Sequence, residues 1–360
     1  MTNTDIANCR LINQQIAESK FTYPQEVVTW MGAMQAQEYA MAKWAIGLRL
    51  PLSKDADIEK AFNNGTILRT HLLRPTWHFV SPADIRWMLQ LTAPRVHAVN
   101  AFMYRKLELD QAFFKRSTNI LIKALQGSKQ LTRMVLNSVL EKENIFADGL
   151  RLGYILMYAE LEGIICSGAK QGNQFTYALL EERVPECKSL NRKEALTELT
   201  LRYFTSRGPA TVQDFAYWSG LTIKDAKEGI EMVRSNFIKE AINGQDHFFV
   251  PTLTTIRKNA QTTFLMPDYD EYGISYKNRS ALFNSNNIRI ENGNTSYNRM
   301  LILEGCIVGS WKRTINKARV IVEINPTIKL SKAAYQDIVL ATDRFAAFLG
   351  MPAEIIISPD

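Results

Sequence analysis

The sequence predicts a mainly helical α+β chain, and three observations carry that expectation. Amphipathic helical spacing followed by a short hairpin pattern recurs through residues 1–255. From about residue 256 the pattern changes to short alternating segments around one long helix. The 360 residues, 46% hydrophobic and 22% charged with 18 Gly and 12 Pro, are enough to bury a sizeable core. This balance sets aside a disordered chain, a collagen-like chain and a disulfide scaffold.

Residues 1–82 read as the first unit. Helices are expected over 6–16, 24–34 and 39–50, with a short one at 57–63, and strands 67–72 and 76–80 flank Leu73-Arg74-Pro75. Residues 83–184 join basic helices to a second unit. Here a helix at 120–125 precedes one carrying Leu131, Val135, Leu136 and Val139 on one side. A third helix, 151–161, ends at Gly163, and strands 164–167 and 174–179 enclose a loop with Gly168, Lys170 and Gly172.

Residues 185–255 give the clearest pattern. Leu196, Leu199, Tyr203 and Phe204 share one helical face, which stops at Gly208-Pro209. Thr211-Val-Gln-Asp214 and Thr222-Ile-Lys-Asp225 are two capping-box starts, the first opening a helix that buries Phe215 and Trp218 and ends at Gly220. Segments 237–241 and 246–250 pair around Asn243-Gly244, which suits a type I′ turn. Three helices and a hairpin is the order of a winged helix. The expectation is therefore three tandem winged-helix units, divergent in sequence. A C-terminal β-rich domain, 256–360, is expected to wrap onto the last of them, with strands 289–291, 300–303, 306–311 and 319–324, a helix 331–349 and a strand 354–358.

The formal net charge is +7, and residues 86–133 alone account for it with nine basic and two acidic side chains. A concentrated basic segment suits a phosphate-backbone surface, although a solvated helical face has the same composition. No apolar run approaches the roughly 18 residues of a membrane span, and the first residues lack the pattern of a secretory signal. Cys9, Cys166, Cys187 and Cys306 stand far apart, which reads as reduced thiols in a cytoplasmic protein and gives no zinc spacing. P-loop, dinucleotide-binding, nucleophile-elbow and H-E-x-x-H motifs do not occur, so neither a nucleotide cofactor nor a metal is expected. His71 and His78 fall on paired strands without carboxylate or Cys partners at ligand spacing, which favours nucleic-acid contact or simple hydrogen bonding.

Two clusters stand out. Gln35 and Gln37 are two residues apart: in a helix they would diverge by about 200°, whereas in extended chain they face one side. The alternative is a polar turn whose amides cap backbone groups. Asp268, Asp270 and Glu271 put three carboxylates within four residues, either as a general base or cation site or as loop acids paired with Arg and Lys.

Gln35-Ala36-Gln37, residues 69–80 (R-T-H-L-L-R-P-T-W-H-F-V), 265–279 (L-M-P-D-Y-D-E-Y-G-I-S-Y-K-N-R) and 305–313 (G-C-I-V-G-S-W-K-R) together resemble the tandem winged-helix family of AlkZ-type DNA glycosylases. That family includes an azinomycin-resistance branch with a Gln-hydrophobic-Gln motif and a YcaQ-like branch with Gln-hydrophobic-Asp. The resemblance covers essentially the whole chain. It implies catalytic roles for Gln35 and Gln37 and the removal of N7-alkylated purines from double-stranded DNA, extending to unhooking of interstrand crosslinks.

The chemistry is consistent with that implication. A glutamine amide is no base near neutral pH, but a cationic base leaves readily if water is placed at the anomeric carbon and the oxocarbenium is stabilised. The nearest lysine, Lys43, is six residues past Gln37, so a monofunctional reaction without a Schiff base is expected. DNA contacts are expected from Arg69, His71, Arg74, His78, Arg86, Arg95, Arg105, Lys106, Lys115, Arg116 and Lys170, with a monomer acting and Asp268, Asp270 and Glu271 in support. Asp225, Glu228 and Glu231 beside Lys224 and Lys227 make the helix from 222 a poor phosphate binder. The opposing class is a non-catalytic winged-helix transcription regulator. A third reading, a metal-dependent nuclease or hydrolase, would rest on Asp268, Asp270 and Glu271.

Overall fold

The computed structural model describes residues 1–184, 189–251, 261–283 and 299–358. Helix α1 (Asn3–Asn13) starts at a capping box between Thr2 and Asp5. Helix α2 (Pro24–Met31) stops at Gly32, whose φ of 71° suits a residue without Cβ. The expected helix 24–34 therefore ends at Met31, and Ala33–Gln35 runs as a strand, β1. Helices α3 (Tyr39–Leu48) and α4 (Asp55–Asn63) precede β2 (Leu68–Leu72) and β3 (Thr76–Val80). The antiparallel sheet has the order β1-β3-β2, with His78 opposite Gln35 on one side and opposite Thr70 on the other.

Helix α5 (Ile85–Lys106) leads to α6 (Gln111–Leu125), β4 (Leu131–Thr132), α7 (Arg133–Lys142) and α8 (Gly149–Leu161). Then come β5 (Ile165–Ser167), β6 (Thr176–Leu179) and α9 (Leu180–Arg183), with sheet order β4-β6-β5. Leu131, expected on a helix, is a strand residue. Thr132 is the extended N-cap of α7 and accepts from the Val135 amide, so the helix starts only after it.

The next segment holds α10 (Arg192–Arg207), α11 (Val212–Ser219), α12 (Ile223–Met232), β7 (Ile238–Ile242) and β8 (Gln245–Phe249). Both expected capping boxes form, and Asn243 and Gly244 take positive φ in the hairpin turn. Its last part contains β9 (Thr263–Leu265), α13 (Glu271–Ile274), β10 (Met300–Leu303), β11 (Cys306–Ile315), β12 (Val320–Pro326), α14 (Lys332–Leu349) and β13 (Ala353–Ile357). They form one sheet of order β13-β12-β11-β10-β9, with β12 and β13 parallel and joined through α14. The three-residue β9 carried no sequence signal, and the strand expected at 289–291 lies outside the described residues. The fold is thus mixed α+β and mainly helical, with one larger sheet.

This sheet packs on the N-terminal helices, not chiefly on the 185–255 segment as expected. Trp44 of α3 meets Phe345 and Phe348 of α14 with ring centroids 5.1 Å apart in each case. Its indole N–H donates to the Leu265 carbonyl at 2.8 Å. One core accordingly runs from α2 and α3 through β9 to β12 and α14, a second joins α5 and β2 to α10 and α11, and a third fills α6–α8. The first arrangement brings residues 33–37 and 265–279 together across most of the chain.

Candidate active site

Strand β1 is too short to hold itself, and its backbone is gripped by a buried ion pair. Arg207, at the end of α10, donates to the carbonyls of Met31 (2.8 Å) and Ala33 (3.0 Å) and to Glu271 Oε2 (2.9 Å). Glu271, in the first turn of α13, accepts the Gln35 backbone N–H on Oε1 at 2.9 Å. Its Oε2 also accepts from Trp218 Nε1 (2.8 Å) and Ser275 Oγ (2.6 Å). Burial pushes the Glu271 carboxyl up, but the Arg207 charge and the Ser275 and Gln35 hydrogen bonds outweigh it and bring the pKa to about 2.

After the strand ends at Gln35, which is half-buried, Ala36 is fully buried and Gln37 exposed. Gln37 lies in the bend before α3, so the extended run does not span both glutamines. The Ala36 N–H donates to Trp77 O at 2.7 Å, and its carbonyl accepts from Arg69 Nε at 3.0 Å. The Arg69 guanidinium lies over Trp77 and Phe175, 4.3 and 4.7 Å from the ring centroids.

Arg74, in the turn between β2 and β3, donates to Gln35 Oε1 at 3.0 Å. Arg74 and Arg279 both lie near the half-exposed Tyr217 ring, at 5.8 and 5.7 Å, and Arg279 Nη2 donates to the Tyr217 hydroxyl at 3.2 Å. The turn is seated against the end of α11. A Cβ at Gly220 would come within 2.3 Å of the Leu73 carbonyl oxygen, so only glycine permits that approach.

The other expected residues separate into groups. Arg95, Arg105, Lys106, Lys115 and Arg116 are exposed on α5 and α6. Arg86 instead donates to the Val184 carbonyl at 2.9 Å, and Lys170 pairs with Glu59 at 3.1 Å. The expectation that His71 and His78 touch DNA gives way to burial: His71 pairs with Glu160 beneath Trp77, and His78 is fully enclosed. The three carboxylates do not converge. Asp268 binds Arg299 at 2.8 Å, Asp270 binds both terminal nitrogens of the buried Arg49 at 2.8 Å, and Glu271 binds Arg207. Among the described residues, no three His, Cys, Asp or Glu side chains are grouped to hold a metal ion.

Arg207, Trp218, Tyr217, Arg279 and Arg49 are the groups that the sequence reading did not single out for this site. Arg207 and Arg49 are fully buried, and nothing local distinguishes such an arginine from a surface one.

A sequence profile for the family described as DNA glycosylase AlkZ-like matches residues 28–348. The chain belongs to the AlkZ-like DNA glycosylase family. Its AlkZ-like region contains Gln35, Gln37, Arg74, Arg207, Tyr217 and Glu271, so the whole arrangement around the glutamines lies inside it. The chain is also similar to an interstrand DNA cross-link repair glycosylase of Streptomyces sahachiroi, 24% identical over 203 residues. That match covers 54% of each sequence, about half the length of the relative. The solved structure of the Streptomyces sahachiroi DNA glycosylase AlkZ superposes with a TM-score of 0.79 at 17% identity, covering 99% of this chain and 100% of that one. This likeness extends the AlkZ-like fold over essentially the whole molecule.

Proposed function

We propose that this protein is a monofunctional DNA glycosylase that hydrolyses the N-glycosidic bond of N7-alkylated, cationic purines in double-stranded DNA, unhooking interstrand crosslinks formed by such adducts. The observation that carries this reading is the Gln35-Ala36-Gln37 segment of an AlkZ-like chain, where Arg207 and Glu271 hold the backbone of Ala33 and Gln35. An N7-alkylated guanine departs as a neutral base, so little acid catalysis is needed. What remains is to place water at the anomeric carbon and stabilise the developing positive charge, which oriented amide dipoles do.

The two glutamines divide this work. Gln35 is fixed at its backbone by Glu271 and at Oε1 by Arg74, which suits a group that orients the nucleotide. Gln37 is exposed beside it and is assigned the attacking water. Lys43 donates to Asp55 (2.6 Å) and Glu59 (2.8 Å), which supports hydrolysis by water over a Schiff base. The exposed basic residues of α5 and α6 are assigned to the phosphate backbone. Asp225 on α12 pairs with Arg192 and caps its own helix, which disfavours that helix as a reader of base sequence. The three helix-and-hairpin segments are read as winged helices, acting in a cytoplasmic monomer without a cofactor.

Release of 7-methylguanine from duplex DNA in the presence of EDTA tests this reading, with the wild type compared to the Gln35→Ala, Gln37→Ala double variant. Abasic sites made by the wild type alone support it. Tight DNA binding without release from 7-methylguanine or a crosslinked duplex would favour the winged-helix regulator instead.

A further inference from the structure

Two glutamines leave the proton of the attacking water without an acceptor, since an amide takes no proton near neutral pH. The sheet beneath them supplies one. His78 on β3 stands in register with Gln35 on β1 and Thr70 on β2, and in-register antiparallel neighbours share a face. Thr76, two residues before His78 on the same strand, shares that face too.

Among the described residues, three buried side-chain atoms on this face have no protein partner: His78 Nε2, Thr70 Oγ1 and Thr76 Oγ1. His78 and Thr70 are both fully buried. The tautomer follows from the one bond the ring makes. His78 Nδ1 lies 2.9 Å from the Thr76 carbonyl, which can only accept, so Nδ1 carries the hydrogen and the lone pair is on Nε2. A lone pair and two hydroxyls on one face of the sheet, all buried, are the kind of partners that an internal water requires.

We propose that His78 is the proton acceptor of the site, taking the proton of the attacking water through a buried water held by His78 Nε2 and the Thr70 and Thr76 hydroxyls. This rests on the glycosylase reading. As the water oxygen bonds to C1′, the C1′–N9 bond breaks and its electron pair returns to the purine, neutralising the cationic base. The water proton passes along the relay to Nε2, and the imidazolium returns it to solvent. The groups acting on the ring are the Arg74 guanidinium, the Glu271 carboxylate and His71. Burial first, and Arg74 second, hold the imidazole neutral down to about pH 3. A weak base suffices, because the water becomes strongly acidic only as its bond to C1′ forms.

The test is single-turnover release of 7-methylguanine from duplex DNA by the wild type, His78→Phe and Thr70→Val, with DNA affinity and melting temperature measured on each. His78→Phe should slow release by about 100-fold or more, and Thr70→Val by about tenfold, with affinity changed less than about threefold. The wild-type rate should stay flat from pH 5 to 8, and its solvent deuterium isotope effect should vanish in His78→Phe, which a purely structural defect would not cause. If His78→Phe does not fold, Thr70→Val reads the same relay at nearly constant volume. Release by both variants at close to the wild-type rate overturns the assignment alone. No release by the wild type overturns the assignment together with the glycosylase reading.

Discussion

The backbone N–H of Gln35 donates to the Glu271 carboxylate across 2.9 Å, although 236 residues separate them. The same carboxylate is bound by Arg207, Trp218 and Ser275, so one buried charge ties the glutamine strand to α10, α11 and α13. Glu271→Gln keeps the shape but turns an acceptor into a group that is half donor and leaves Arg207 uncompensated. It should cost about 3–5 kcal/mol of stability, read by denaturant unfolding. Base release should also fall more than DNA affinity does. A variant as stable as the wild type would show that the charge does not hold the strand.

Acid should destabilise the fold in two stages. The His78 pKa is lowered from 6.5 to about 3 in the folded protein, so the unfolded chain takes up the proton first and stability declines from pH 6.5 down to about 3. The Glu271 pKa is lowered from 4.5 to about 2, so its contribution is complete above 4.5 and is lost as pH falls toward 2. Each group can contribute a slope of up to about 1.4 kcal/mol per pH unit within its window. Unfolding free energies from pH 7.5 to 5 should be flatter for His78→Phe than for the wild type. Equal slopes would mean that the imidazole ionises normally.

Gly220→Ala should disturb the site from a distance. The residue has φ of +71°, and its new Cβ would press on the Leu73 carbonyl oxygen at 2.3 Å. At Gly127, with φ of +81°, an added Cβ would meet no described atom within 4 Å, so this position isolates the backbone cost alone. Gly127→Ala should cost about 1 kcal/mol. Gly220→Ala should cost more and slow base release, because Leu73 precedes the arginine that holds Gln35. Matching losses in the two variants would argue against the close approach.

The exposed basic side chains should reveal themselves through salt. Replacing Arg95, Arg105, Lys106 or Lys115 by Ala should weaken duplex binding and reduce the log–log salt slope by about 1 for each phosphate contact removed. Arg86→Ala should leave the slope unchanged and lower stability instead, since its guanidinium is bonded to the Val184 carbonyl. An Arg86 variant with a reduced slope would place that residue at the DNA.

What could be read from the chain alone was what neighbouring residues settle among themselves. Thr211 with Asp214 and Thr222 with Asp225 start helices through contacts three residues long, and Asn243-Gly244 turns a hairpin because its residues tolerate positive φ. The Gln35-Ala36-Gln37 pattern and the blocks around it likewise pointed to the family, whereas the extended run itself stops at Gln35 and Gln37 lies in a bend. The end of α2 was misread because Gly32, inside the apolar run, breaks the helix before Met34.

The tertiary structure decided which charges are buried and what they hold. Asp270 pairs with Arg49 across 221 residues, and Glu271 with Arg207 across 64. In the linear sequence both acids belong to a polar run that reads equally well as a solvated loop. His78 lies in a strand pattern that does not tell an exposed imidazole from an enclosed one. Local conformation follows from short-range sterics and capping, whereas the ionisation and partners of a side chain follow from desolvation, which exists only once distant segments have packed.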